Sequence, residues 1–106
     1  MTRISFLYPN SKDKRFDFDY YIERHMPWSI DLLSVHPGFR GVSVERGISA
    51  SPGANAPFVA VCHFLFETLE DFMDSVTPHL AELRADLSNY TDVEAVIQIG
   101  EVVVNR

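Results

Sequence analysis

An α+β domain running strand, helix, strand, strand, helix, strand is the fold class this sequence predicts, with a four-stranded antiparallel sheet carrying both helices on one side. Three observations point to it. Ile4, Phe6 and Tyr8 alternate with Arg3, Ser5 and Leu7 until Pro9-Asn10 intervenes, which is the period of a half-buried strand. Phe58 to Phe66 is apolar in both registers, so both of its faces need cover. Between strands lie two stretches of helical periodicity, each opened by a capping residue and each interrupted by a proline: Asp17 with Pro27, and Thr68 with Pro78. This order is the split βαβ arrangement.

Taken along the chain, the first strand ends at Pro9 and a loop from Asn10 leads to Phe16. Asp17 caps a helix running towards Val35, with Phe18, Tyr21, Ile22, His25 and Met26 on one buried stripe. Pro27 lacks the N–H that would bond to the Glu23 carbonyl, so a kink is expected there. Ile30, Leu32 and Leu33 continue the apolar side, and Pro37-Gly38 ends it. Phe39 to Gly47 alternates Val42 and Val44 against Ser43 and Glu45 as a second strand. The polar loop from Ser49 to Pro57 forms a hairpin connection to the third strand, Phe58 to Phe66.

Thr68 caps the second helix, and Asp71 stands close to the acidic half of a capping box. Leu69, Phe72, Met73, Val76, Leu80, Leu83 and Leu87 form its stripe, with His79 at one edge. Ser88 to Asp92 makes a turn, and Ala95 to Val104 is a β-branched final strand in which Gly100 predicts a bulge or a close backbone approach. Crossovers of consistent hand place both helices on one face. The opposite face is left as an apolar patch, which a homodimer closed sheet against sheet would hide.

Composition narrows the function. The 106 residues fit one domain, and 46% apolar content with 23% charged residues is that of a folded protein. A formal charge of −6 argues against nucleic acid, which needs clustered cations. The one basic run, Lys12-Asp13-Lys14-Arg15, reads as a solvated loop. No stretch is long and apolar enough to span a membrane, and the N-terminal run is too short for an export signal. With Cys62 alone, no intrachain disulfide is available, and a reducing cytoplasm is the expected setting.

The functional signal concentrates at His25. A titratable imidazole on an apolar stripe, two residues before a helix-breaking proline, is either a core histidine bonded to a carbonyl freed by Pro27 or a proton carrier facing a cleft. Tyr21, one turn earlier, is either a core tyrosine or a donor to a developing oxyanion. His79 repeats the pairing of histidine with proline, as a boundary residue or a second proton carrier. His25, His63 and His79 lack a close metal-ligand spacing, and no Cys-His-Asp arrangement or phosphate loop is visible.

Tyr8-Pro9, Phe16-Asp17-Phe18-Asp19-Tyr20-Tyr21 with His25-Met26-Pro27, His63-Phe64-Leu65-Phe66-Glu67, Asp86-Leu87-Ser88-Asn89-Tyr90-Thr91 and Gln98-Ile99-Gly100-Glu101-Val102 together resemble the EthD family. The resemblance covers nearly the whole chain as a single domain, 1–106. It implies a ferredoxin-like fold that pairs sheet to sheet as a dimeric α+β barrel. The family takes its name from a gene cluster for degrading ethyl tert-butyl ether and is grouped with oxidoreductases. Superfamily relatives include cofactor-free monooxygenases acting on quinols, cyclases, isomerases and haem-degrading enzymes. By residue, only the motif of Tyr21 and His25 carries over.

The expectation is therefore an oxidoreductase or isomerase acting on an apolar aromatic or quinonoid molecule. His25 serves as acid or base, Tyr21 as donor, His79 as second carrier, and Tyr8, Phe18, Met26 and His63 contact substrate. No cofactor is expected; haem through an axial His79 is the alternative. The rival function is a non-catalytic accessory module that binds a hydrophobic metabolite or supports a partner oxygenase.

Overall fold

The computed structural model describes residues 1–106. Four strands, β1 (Thr2–Pro9), β2 (Phe39–Arg46), β3 (Phe58–Phe66) and β4 (Val96–Glu101), form one antiparallel sheet in the order β2-β3-β1-β4. The helical segments cover one face. Ile4, Tyr8, Ala60, Cys62, Phe64 and Phe66 point under them and are buried. No helix is long and apolar enough to cross a membrane.

The first helical region is built in three parts: α1 (Phe18–Tyr20), a π-turn (Tyr21–His25) and α2 (Met26–Leu33). Asp17 caps it as expected, accepting from the Tyr20 N–H at 3.1 Å. The interruption, however, lies upstream of Pro27. The Met26 N–H reaches back to the Tyr21 carbonyl, one residue further than in an α-turn. Widening the turn just before the proline relieves the crowding that its ring imposes on the preceding turn. It also shifts the stripe: Tyr21, His25 and Met26 stay buried, whereas Ile22 turns outwards and is 42% exposed. The region stops at Leu33, leaving Val35 in solvent.

The second helical region is α3 (Leu69–Val76), a 3₁₀ turn (Thr77–His79) that absorbs Pro78, and α4 (Leu80–Ala85). Thr68 accepts from the Asp71 N–H at 3.0 Å. Phe72 and Val76 are buried, but Leu69, Met73 and Leu87 remain substantially exposed, so the stripe is narrower than its spacing suggests.

β4 is shorter than expected: its last paired residue, Glu101, stands opposite Thr2, and past that pair a single bond follows, from the Val102 N–H to the Met1 carbonyl at 2.9 Å. Gly100 sits opposite Arg3 in unbroken register and shows neither the bulge nor the close backbone approach expected of it, since a Cβ there would meet only the Arg3 carbonyl oxygen at 4.0 Å; the register shifts fall instead at Tyr8/Pro9 and Phe39/Gly41. The loop before α1 is tied down rather than merely solvated. The Arg15 guanidinium donates to the Ser88 carbonyl at 2.6 Å, and the Arg15 backbone N–H donates to the Asp92 carboxylate at 2.7 Å. This latch holds the two ends of the helical layer together beside the site.

On the open face of the sheet, Val61, Leu65 and Leu7 are half-buried around a polar centre. Glu45 accepts from His63 Nε2–H at 3.2 Å, leaving Nδ1 to accept from the Ser5 hydroxyl at 2.6 Å. The face is thus mixed, the expected apolar patch surrounding Ser5, His63 and Glu45.

Candidate functional site

Between the sheet and the helices lies a cavity of about 430 Å³ lined by 20 residues, 16 of them hydrophobic. Its size and composition suit a small apolar molecule held by a few polar groups. Those groups are His25, Ser29, Arg84 and Glu94. Ser29 is spent on structure, its hydroxyl donating to the His25 carbonyl at 2.8 Å.

His25 is buried, and its Nδ1 lies 2.7 Å from Asp86 Oδ2. The partner is this carboxylate, brought in by the residue that follows α4, and not the backbone carbonyl that the core reading of His25 called for. Asp86 is itself fixed: its Oδ1 accepts from the Tyr20 hydroxyl and from the Asn89 amide, each at 2.8 Å. Burial pushes the Asp86 carboxyl up, yet the hydrogen bonds from Asn89, His25 and Tyr20 outweigh that and hold it below the ordinary carboxylate value. An ionised Asp86 only accepts, so Nδ1 carries the proton and Nε2 carries the lone pair. Nε2 has no partner in the chain and is not sealed from solvent. Desolvation lowers the His25 pKa below 6.5, although Asp86 pulls the other way. The ring is therefore a neutral base near pH 7.

Tyrosines surround it. Tyr21 stacks on the imidazole at 5.9 Å with 14° between planes, a consequence of the widened turn. Tyr90 contacts the ring at 4.7 Å. Burial raises the Tyr21 hydroxyl and the Cys62 thiol, the thiol to about 12. The Tyr8 and Tyr90 hydroxyls meet at 2.9 Å, and burial raises Tyr8 to about 12. Reduced acidity keeps all three phenols protonated at neutral pH.

Of the residues singled out in the sequence, Tyr8, Tyr21, His25 and Met26 line the cavity together. Phe18 does not: it packs on Phe16 and Tyr21 with the Arg46 guanidinium 4.1 Å above it. His63 points to the opposite face of the sheet, because its neighbours Cys62 and Phe64 face the helices and strand side chains alternate. His79 stands outside the cavity with Nδ1 2.8 Å from Glu82, and so offers no axial nitrogen to a haem in the cleft. Asp86, Tyr90, Tyr20 and Asn89 were given no role from the sequence. All four were visible only within the motifs of the family resemblance.

Comparison with known proteins agrees with this architecture. The family model described as EthD domain matches residues 10–94. The chain is 39% identical to an EthD-like protein from Ralstonia eutropha JMP134, covering 99% of this chain and 94% of that one, with a TM-score of 0.90. An ethyl tert-butyl ether (EthD) family protein from Bacillus halodurans C-125 is 21% identical over 97% of this chain and 99% of its own, with a TM-score of 0.71. SnoaB, a cofactor-independent oxygenase from Streptomyces nogalater, is 10% identical over 98% of this chain and 93% of its own, with a TM-score of 0.65, a likeness of fold. No curated protein matches the chain.

Proposed function

The chain belongs to the EthD family, and we propose that it is a small-molecule enzyme of oxidoreductase or isomerase type acting on an apolar aromatic or quinonoid substrate in the cavity. The observation that carries this reading is the anchored imidazole: His25 Nδ1 held by Asp86 at 2.7 Å, with Nε2 unpartnered in an apolar cleft.

In the proposed step Nε2 takes a proton from an activated C–H or a phenolic O–H of the bound molecule. The electron pair left behind delocalises into the substrate's ring or carbonyl, and the Asp86 carboxylate stabilises the imidazolium. Returning the proton to a different atom completes an isomerisation. Leaving the substrate as an enolate or phenolate supplies the electron-rich form that dioxygen oxidises. The proton carrier is a side chain, so the step itself calls for no cofactor. Tyr21 acts by stacking, fixing the plane of the ring. The protein is proposed to work as a homodimer closed through the open sheet face, where Leu7, Val61 and Leu65 gain cover.

The test compares wild type with His25→Ala on a panel of quinols and cyclic enones. A loss of turnover on the order of 10²-fold or more with retained fold is expected. Undiminished turnover would remove the base. Saturable binding of these compounds without any turnover by wild type would favour the accessory role.

A further inference from the structure

The cavity's other two polar residues have no assigned role. Arg84 lies one turn after Leu80 on α4 and next to Leu83, both of which line the same cavity. Its guanidinium makes no hydrogen bond or ion pair within the chain: the four ion pairs join His25 with Asp86, Arg40 with Glu67, His63 with Glu45 and His79 with Glu82. Glu94, between Val93 and Ala95 on the segment leading into β4, is exposed at the same rim and likewise unpaired. Arg15 is committed to the Ser88 carbonyl, Arg40 to Glu67 and Arg46 to the Phe18 ring; Arg3, Arg24 and Arg106 are unpaired like Arg84, but none of them lines this cavity. Arg84 is exposed, so it stands at the rim of an otherwise apolar hollow, where a guanidinium offers a fork of donors to a planar anion.

We infer that Arg84 selects an amphipathic substrate: an aromatic body enters the apolar cavity and an acidic substituent, a carboxylate or an enolised oxygen, rests at the guanidinium. Charge and apolar body are then read at separate places, and the molecule is held in one orientation relative to His25. Glu94 sharpens the selection by repelling anions that approach from its side of the rim. This inference rests on the proposed use of the same cavity, but its readout is binding and not turnover.

Isothermal titration calorimetry with 2-naphthoate and the isosteric neutral 2-naphthamide tests it. Wild type is expected to bind the carboxylate about tenfold more tightly than the amide, the range of a partly exposed charge-assisted contact. Arg84→Gln should abolish that preference while leaving the amide unchanged. Glu94→Gln should raise the affinity for the carboxylate. Equal binding of the two compounds by wild type, an equal loss of both in Arg84→Gln, or binding of neither compound overturns the inference. Because His25→Ala is expected to keep the carboxylate preference, a failure at Arg84 is distinguishable from a failure of the proton-carrier reading.

Discussion

Replacing Asp86 by asparagine isolates what the carboxylate does for His25. The substitution keeps the shape and removes the charge. The Oδ1 position, which accepts from Tyr20 and Asn89 at 2.8 Å, survives as a carbonyl oxygen, whereas Oδ2, 2.7 Å from His25 Nδ1, becomes an NH₂ donor. Facing a donor, the neutral imidazole moves its proton to Nε2 so that Nδ1 can accept. One charge-assisted hydrogen bond is exchanged for a neutral one, which costs about 1 kcal/mol. In a domain of this size that lowers Tm by roughly 4 to 8 °C. The chemical effect is far larger, because the nitrogen facing the cavity now carries a hydrogen and cannot accept one. A fall in kcat/KM on the order of 10²- to 10⁴-fold is expected, measured by turnover of the best quinol or enone from the panel, with naphthoate affinity changed by less than about threefold. Turnover within tenfold of wild type, in a protein shown to be folded at the assay temperature, would refute the argument that Asp86 sets the tautomer.

Four further outcomes follow from the same geometry. Because folding lowers the His25 pKa, the unfolded chain binds the proton more readily below 6.5; stability is complete above that pH and falls as pH drops through the folded value. Asp86 repeats this below its ordinary 3.8. Thermal melts from pH 7.5 to 4.5 should therefore show a decline in wild type that is reduced in His25→Gln; parallel curves would contradict it. Tyr8→Phe and Tyr90→Phe should each cost about 1 to 3 kcal/mol in urea melts by stranding the other hydroxyl, while the double variant costs clearly less than their sum; additive losses would mean that the 2.9 Å pair is not a coupled unit. His79→Ala should retain turnover within about twofold, whereas Leu65→Glu on the open sheet face should convert a dimer to monomers in analytical ultracentrifugation; a monomeric wild type would end the proposed pairing.

The strands were legible wherever side-chain period and backbone agree. Alternation in Ile4, Phe6 and Tyr8 and two-sided hydrophobicity in Phe58 to Phe66 need only local information, and both strands lie where the pattern puts them. The run from Ala95 to Val104 satisfies the same pattern, yet its ladder ends at Glu101 opposite Thr2 with one more bond from Val102 to Met1, because a strand's length depends on its neighbour and not on its own residues alone. Pro27 announced an interruption but not its kind: a π-turn upstream and a kink at the ring both relieve the same crowding. His25 was visible as an imidazole on an apolar stripe. Asp86 was not, since it lies 61 residues away after another helix, and an acid at such a place is unremarkable until the fold brings it to 2.7 Å. His63 shows the reverse. Its type suggested a role in the cleft, while the period of its own strand assigns it to the other face.

The central claim concerns one nitrogen, and ¹⁵N-detected two-bond correlation of the His25 ring at pH 7 reports on it directly. The account expects a neutral ring protonated at Nδ1, with an Nε2 shift that moves when 2-naphthoate fills the cavity and with protonation only below pH 6.5. A ring protonated at Nε2, or one whose signals ignore the ligand and never titrate, would contradict it.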